Sequence, residues 1–191
     1  MQADWEFELG EDAPVIDAAW AGFLDLRSAT ERVRDLPEAA ELPALAEVLI
    51  RLNAPLAPVW TSKCDVWSIE SLEAVNFDRF DLDATEEQIS CAVASYIDLL
   101  PRSDQQWQLP ARVAAACDAV CQRLQPVELR CCRADLVIRQ AYVAPSEAVL
   151  GFTAYLIACG ATEQDAHATL SAALHAFTDA VLNSPTPAET A

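Results

Sequence analysis

Lysine is almost absent from this 191-residue chain: Lys63 stands alone among twelve basic residues, which face thirty acids. A formal net charge of −18 and a pI near 4.2 would repel a phosphate backbone or an anionic membrane surface, which excludes nucleic-acid binding. Glycine is scarce too. Its four residues leave no Gly-rich loop to cradle a phosphate and no Gly-x-Ser-x-Gly elbow to expose a nucleophile. There are two histidines, His167 and His175, and no His-Glu-x-x-His pair for a metal. No apolar run reaches the roughly 20 residues that a bilayer-spanning helix needs. The stretch Met1 to Asp12 is acidic, unlike the basic-then-apolar start of a signal peptide. These absences predict a cytoplasmic protein without membrane contact.

Seven cysteines are present, but their odd number and their placement inside apolar runs argue against a disulfide framework. No Cys-x-x-Cys occurs, and Cys131 and Cys132, adjacent on a strand, point to opposite faces and cannot converge on zinc. They read as reduced, buried small hydrophobes, with no metal or other cofactor expected. The charge is uneven: residues 1 to 102 hold 21 acids and 7 bases, and residues 103 to 191 hold 9 and 5. Besides conferring solubility, so acidic an N-terminal half could present a docking surface to a basic partner.

Along the chain, Trp5, Phe7 and Leu9 alternate with Asp4, Glu6 and Glu8, the period of a half-buried edge strand. From Pro14 the spacing of Val15, Ala18, Ala19, Phe23 and Leu26 predicts short helices, interrupted at Gly22. Pro43 is placed as the first-turn residue of a helix through Leu52, with Leu45, Val48, Leu49 and Leu52 as its buried stripe. Strands follow around Lys63 to Ile69 and from Ile89 to Leu100, separated by Glu70 to Glu87, which carries seven acids and one base. That segment is read as a short helix, a strand near Phe77 and Phe80, or a mobile flap. A helix is predicted from near Pro110 to Leu124, a strand from Val127 to Val143, a turn over Ala144 to Gly151 and a return strand from Phe152 to Cys159. Thr162 and Asp165 form a capping-box-like start for a last helix, Glu163 to Leu182.

Two strand–strand–helix units thus succeed one another, each with an Asp in its first strand (Asp65, Asp135) and a Tyr in its second (Tyr96, Tyr155). They predict an α+β fold: two ββα units forming a four-stranded, mainly antiparallel sheet covered by helices on one face. Residues 1–55 would be an N-terminal extension of a short strand and helices packed on the core, 56–183 the core and 184–191 a frayed tail. In element order and low pI, though in no particular residue, this resembles small acidic secretion chaperones.

Period-two alternation then assigns sides. With Cys132, Ala134, Leu136 and Ile138 facing the helices, the opposite face would display Lys63, Asp65, Trp67, Tyr96, Asp98, Arg133, Asp135 and Tyr155, with Thr153 beside them. Aromatic rings with both signs of charge can bind a small polar ligand, and Lys63 is singular because a buried amine, unlike a guanidinium, can lose its proton. An ordinary cross-strand ion pair on a solvated face accounts for the same residues. The chain is read as a non-enzymatic, chaperone-like adaptor that binds a protein partner, preferably a basic one, and could act as a homodimer. The alternative is a small-molecule-binding protein or enzyme centred on Lys63, Asp65, Arg133 and Asp135.

Overall fold

The computed structural model describes residues 1–18, 20, 22–70, 89–102, 107–144 and 147–184. The acidic stretch 71–88 and the tail 185–191, with the expectations attached to them, lie outside the described residues. In chain order come β1 (Gln2–Phe7), β2 (Ile16–Asp17), a 3-10 helix (Thr30–Asp35), α1 (Pro37–Glu41) and α2 (Pro43–Leu52). Then follow β3 (Val59–Ser68), β4 (Cys91–Pro101), α3 (Pro110–Leu124), β5 (Cys132–Ala144), β6 (Glu147–Gly160) and α4 (Glu163–Leu182). Among the described residues, no helix is long and apolar enough to cross a membrane.

The sheet corrects the expected four antiparallel strands. It has six, in the order β1-β5-β6-β4-β3 with β2 also on β5, and it is mixed: β1 and β2 run parallel to β5 while the other pairs are antiparallel. The N-terminal strand is therefore a member of the sheet, inserted at the end of its path beside a strand that lies more than a hundred residues later. Two further corrections are local. Where the spacing after Pro14 predicts helix, β-branched Ile16 joins β5 opposite Ala141, and Gly22 takes φ +99°, a left-handed conformation that ends any helical run. The predicted turn over Ala144 to Gly151 is shorter, because β6 begins at Glu147 and Val149 and Leu150 pair with Ala141 and Gln140.

One face of the sheet is packed by helices. Leu45, Val48, Leu49 and Leu52 of α2, Val113, Cys117 and Leu124 of α3, and Leu170, Leu174 and Phe177 of α4 form one core with Ile97, Leu136, Ile138, Phe152 and Leu156. Phe152 and Phe177 are among the largest fully buried side chains, and truncating either to Ala would cost about 3–5 kcal/mol. The helix starts are locally encoded. Pro43 and Pro110 stand in the first turns of α2 and α3, where a missing N–H costs no hydrogen bond. At α4 the Asp165 N–H donates to Thr162 Oγ1 (3.1 Å) while that hydroxyl donates to Asp165 Oδ2 (2.7 Å). At the far end of α2 the buried Asn53 donates to Leu49 O (2.8 Å) and Thr61 Oγ1 (2.7 Å) and accepts from Thr61 N–H (3.1 Å). It thus fastens the helix to β3 immediately before a bulge at Ser62 and Lys63, where the pairing jumps from Thr61↔Leu99 to Cys64↔Ile97.

The opposite face carries no helix among the described residues, yet both its ends are apolar. At one end Ile16, Ala18, Trp60, Leu100, Ala141 and Val149 form a second core. Gly151 is required there: a Cβ would lie 2.7 Å from Leu99 O and 3.0 Å from Ile16 Cδ1. At the other end Ile89, Ala92 and Cys159 cluster with Ile69 and Ile157. Between these ends runs a polar band.

Candidate functional site

Strand registers place four of the eight candidate residues in a single row. Asp65 pairs with Tyr96, Tyr96 with Tyr155, Tyr155 with Asp135, and Asp135 with Asp4. A row of directly opposed residues brings side chains on one face within contact distance, and the rings use it. Tyr96 and Tyr155 stand 6.1 Å apart and tilted, and Trp67, one row away on β3, lies 6.2 Å from Tyr96. Trp67 is 38% exposed, and its cross-strand neighbour is only Ala94, so its ring borders open space. An open depression of about 470 Å³ is lined there by Trp67, Ala94, Tyr155, Ile157, Asp135 and Arg139, among others.

The remaining candidates take different positions. Arg133 is buried to 8% exposure and gives Asp135 a forked contact, Nε to Oδ1 at 2.8 Å and Nη2 to Oδ1 at 2.6 Å, with Asp4 Oδ2 at 3.8 Å. Donating to Asp135 holds the proton on the Arg133 guanidinium more tightly, raising its pKa against the effect of burial. Asp98 is 6% exposed and accepts from Thr153 Oγ1 at 2.6 Å. Burial pushes its carboxyl above the usual carboxylate value, against the lowering effects of that hydrogen bond, Arg139 and Lys63. Lys63 sits on the bulge, half-buried, with Nζ 5.6 Å from the Trp20 ring. It lines a second depression, of about 410 Å³, on the far side of β3 with Trp20, Leu24, Leu36, Asp65 and Tyr96. The Tyr96 phenol is pushed up to about 12, first by burial and then by the charges of Asp98 and Asp65.

Two residues outside the eight candidates belong to the band. Arg139 donates to Glu8 Oε2 (2.9 Å from Nε, 2.5 Å from Nη2), to Thr153 Oγ1 (3.1 Å) and to the Tyr155 hydroxyl (2.9 Å), and its guanidinium carbon lies 5.5 Å from the Tyr155 ring. The signal for it was available, since Arg139 shares the parity of Arg133 and Asp135 on β5. Glu8 shares that of Asp4 and Glu6. The result is a connected chain, Glu8–Arg139–Thr153–Asp98, and no buried side-chain nitrogen or oxygen among the described residues lacks a hydrogen-bond partner.

Charge on the band is lopsided. Asp4, Glu6, Glu8, Asp65, Asp98 and Asp135 face Lys63, Arg133 and Arg139, and the two arginines are already engaged by carboxylates. The carboxylate of Asp65, exposed on the edge strand, accepts from the N–H of Val66 at 2.8 Å and makes no ion pair among the described residues, although Lys63 lines the same depression. Such a surface suits a guest that brings positive charge and a flat face to stack.

The cysteines and histidines stand apart from the band. All seven cysteines are free; Cys117, Cys121, Cys132 and Cys159 are buried. Burial drives the thiols of Cys64 and Cys121 up to about 12 and those of Cys132 and Cys159 to about 11. Among the described residues, no group of three or more His, Cys, Asp or Glu side chains is arranged to hold a metal ion. His167 and His175 lie on α4, the first with Nδ1 2.9 Å from Glu163 O and the second with Nε2 3.6 Å from Glu47. The chain matches no known family model, no curated protein and no solved structure.

Proposed function

We propose that this protein is a cytoplasmic, non-enzymatic adaptor that uses the helix-free face of its sheet to dock a basic segment of a partner protein. The observation that carries the reading is the in-register row Asp65–Tyr96–Tyr155–Asp135–Asp4, an aromatic centre flanked by carboxylates across five strands. Its surroundings agree: a net charge of −18 steers a cationic partner toward the molecule, and rings at the centre of a charged rim are the common composition of binding hot spots. The hairpins β3–β4 and β5–β6 act in this reading as two halves related by a pseudo-twofold axis between β4 and β6. A second copy of the chain, equally acidic, is a poorer occupant of the face than a basic segment.

The alternative, a small-molecule site at Lys63, Asp65, Arg133 and Asp135, has less to recommend it. Arg133 and Asp135 bond each other, and the bulge carries Lys63 toward Trp20, so the four do not converge on one guest.

Fluorescence anisotropy with labelled 15-residue peptides tests the docking reading. A peptide rich in arginine and leucine should bind at physiological salt, while its glutamate-substituted counterpart should not. Binding should fall about tenfold or more in a Tyr96→Ala/Tyr155→Ala variant that still unfolds cooperatively. Equal binding by both peptides, or no loss in the variant, overturns the reading.

A further inference from the structure

The two hairpins match position by position in register but not in charge compensation. Asp65↔Tyr96, Val66↔Ser95 and Trp67↔Ala94 on β3–β4 correspond to Asp135↔Tyr155, Leu136↔Ala154 and Val137↔Thr153 on β5–β6. In the second hairpin the chain supplies its own cations: Arg133, two residues before Asp135, forks onto its carboxylate, and Arg139, four residues after, lies over Tyr155. In the first, the residue two before Asp65 is Lys63, displaced by the bulge onto Trp20, and the residue four after is Ile69, packed in the apolar end of the face. Among the described residues, Asp65 and Tyr96 are therefore the same pair without an arginine engaged on it.

We propose that this vacant pair is a recognition site for one arginine side chain of the partner, which stacks on Tyr96 and Trp67 and pairs with Asp65 as Arg139 and Arg133 do on the other hairpin. The inference rests on the docking reading and adds to it the identity of the anchoring group. Three features fit a guanidinium in particular. Its planar fork matches a carboxylate with two parallel N–H bonds, and it stacks on aromatic faces more readily than a strongly hydrated ammonium. Ala94, opposite Trp67, leaves room above the sheet for a flat group next to the ring. The site also lies at β3, the end of the sheet path among the described residues, where a guest's backbone can approach from the side.

The test is an NMR titration of the full chain with acetyl-Gly-Arg-Gly-amide, using the Lys and Gln tripeptides as comparators. The arginine peptide should shift the Trp67 indole N–H and the amides around Asp65 and Tyr96, binding about fivefold or more tighter than the glutamine peptide and more tightly than the lysine peptide. Asp65→Asn, isosteric and exposed, and Trp67→Ala should each weaken it about fivefold or more, with Trp67→Phe recovering part of the loss. Shifts scattered over the acidic surface, or shifts indifferent to Asp65→Asn and Trp67→Ala, overturn the arginine site. If the basic 15-residue peptide still binds and still needs Tyr96 and Tyr155, the docking face survives without this anchor; if no peptide reaches the face, both fail.

Discussion

The β3–β4 and β5–β6 pairs share an aspartate–tyrosine pairing and differ in what surrounds it. Both set an aspartate opposite a tyrosine at the same register, and both bury the alternate residues under the helices. In β5–β6 the aspartate and tyrosine are enclosed by Arg133, Arg139 and Glu8, which turns the polar pair into structure. In β3–β4 the aspartate is exposed and the tyrosine is half-buried between Trp67 and Tyr155. A carboxylate whose partner comes from its own chain contributes to stability, whereas one left at an edge beside two rings is free to recognise something else.

Disrupting the enclosed half should have the largest effect. Arg133→Ala removes a buried guanidinium from the part-buried Asp135, and Arg139→Ala removes the donor to the part-buried Tyr155 and the buried Thr153, so each should lower stability by about 2 kcal/mol in urea denaturation. Asp65→Asn, at the exposed carboxylate of the other hairpin, should stay within about 0.5 kcal/mol. Similar losses for the two would mean that the hairpins do not differ in the way described.

Making the open half resemble the enclosed one comes next. Ile69→Arg places a cation four residues after Asp65, as Arg139 stands to Asp135. It should sit over Tyr96, weaken the arginine tripeptide about tenfold and cost about 1 kcal/mol of lost packing, both readable by titration and denaturation. An unchanged affinity would show that the added side chain does not reach the ring.

Asp98, at the seam between the hairpins, gives a pH signature. Its folded pKa is raised above 3.8, so the folded state holds the proton more tightly than the unfolded chain does. That contribution to stability is complete below 3.8 and is lost as pH rises through the folded value. Asp98→Asn should therefore be the more stable protein at neutral pH, by about 1 kcal/mol, with its advantage shrinking as pH falls through that window. An advantage that holds constant with pH would assign it to packing instead of ionisation.

The smallest expected effect is chemical. Cys91 and Cys131, which are partly exposed, should react with a maleimide before the buried thiols. Cys64, though also partly exposed, should lag because its thiol is pushed up to about 12 by burial and by Glu38 and Asp65. Fast labelling of Cys64, followed by mass spectrometry, would mean that its thiol is less buried than described.

What the sequence made legible was local. Pro43, Leu52, Thr162, Asp165 and Leu182 mark α2 and the start and end of α4 because capping and first-turn geometry depend on neighbours a few residues apart. Period-two alternation put Asp65, Tyr96, Asp135 and Tyr155 on one parity, and their registers join them in one row. It could not reveal that β1 lies parallel to β5, since that pairing connects distant parts of the chain and leaves no periodic trace in either strand. Nor could it foresee the extra residue at Ser62 and Lys63. A bulge breaks the alternation on which the assignment depends, and it brings Lys63 to the Trp20 ring without an ion pair to Asp65 or Asp135. Arg139 was legible by parity, but its role was not, because Glu8 and Tyr155 reach it from two other strands.

That same bulge bears on how the sheet edge could pair with another strand. An outer strand offers a row of unused backbone donors and acceptors, and an even row invites a copy of the chain to add to it, then another. In β3 the row is regular from Val59 to Thr61 and again from Cys64 to Ser68, with the two stretches out of step across Ser62 and Lys63. A short guest can still be held on one such stretch, while continuous edge-to-edge growth along the whole strand meets a break in phase. One inserted residue thus leaves two short in-phase stretches where an unbroken strand would be a single long template for fibres.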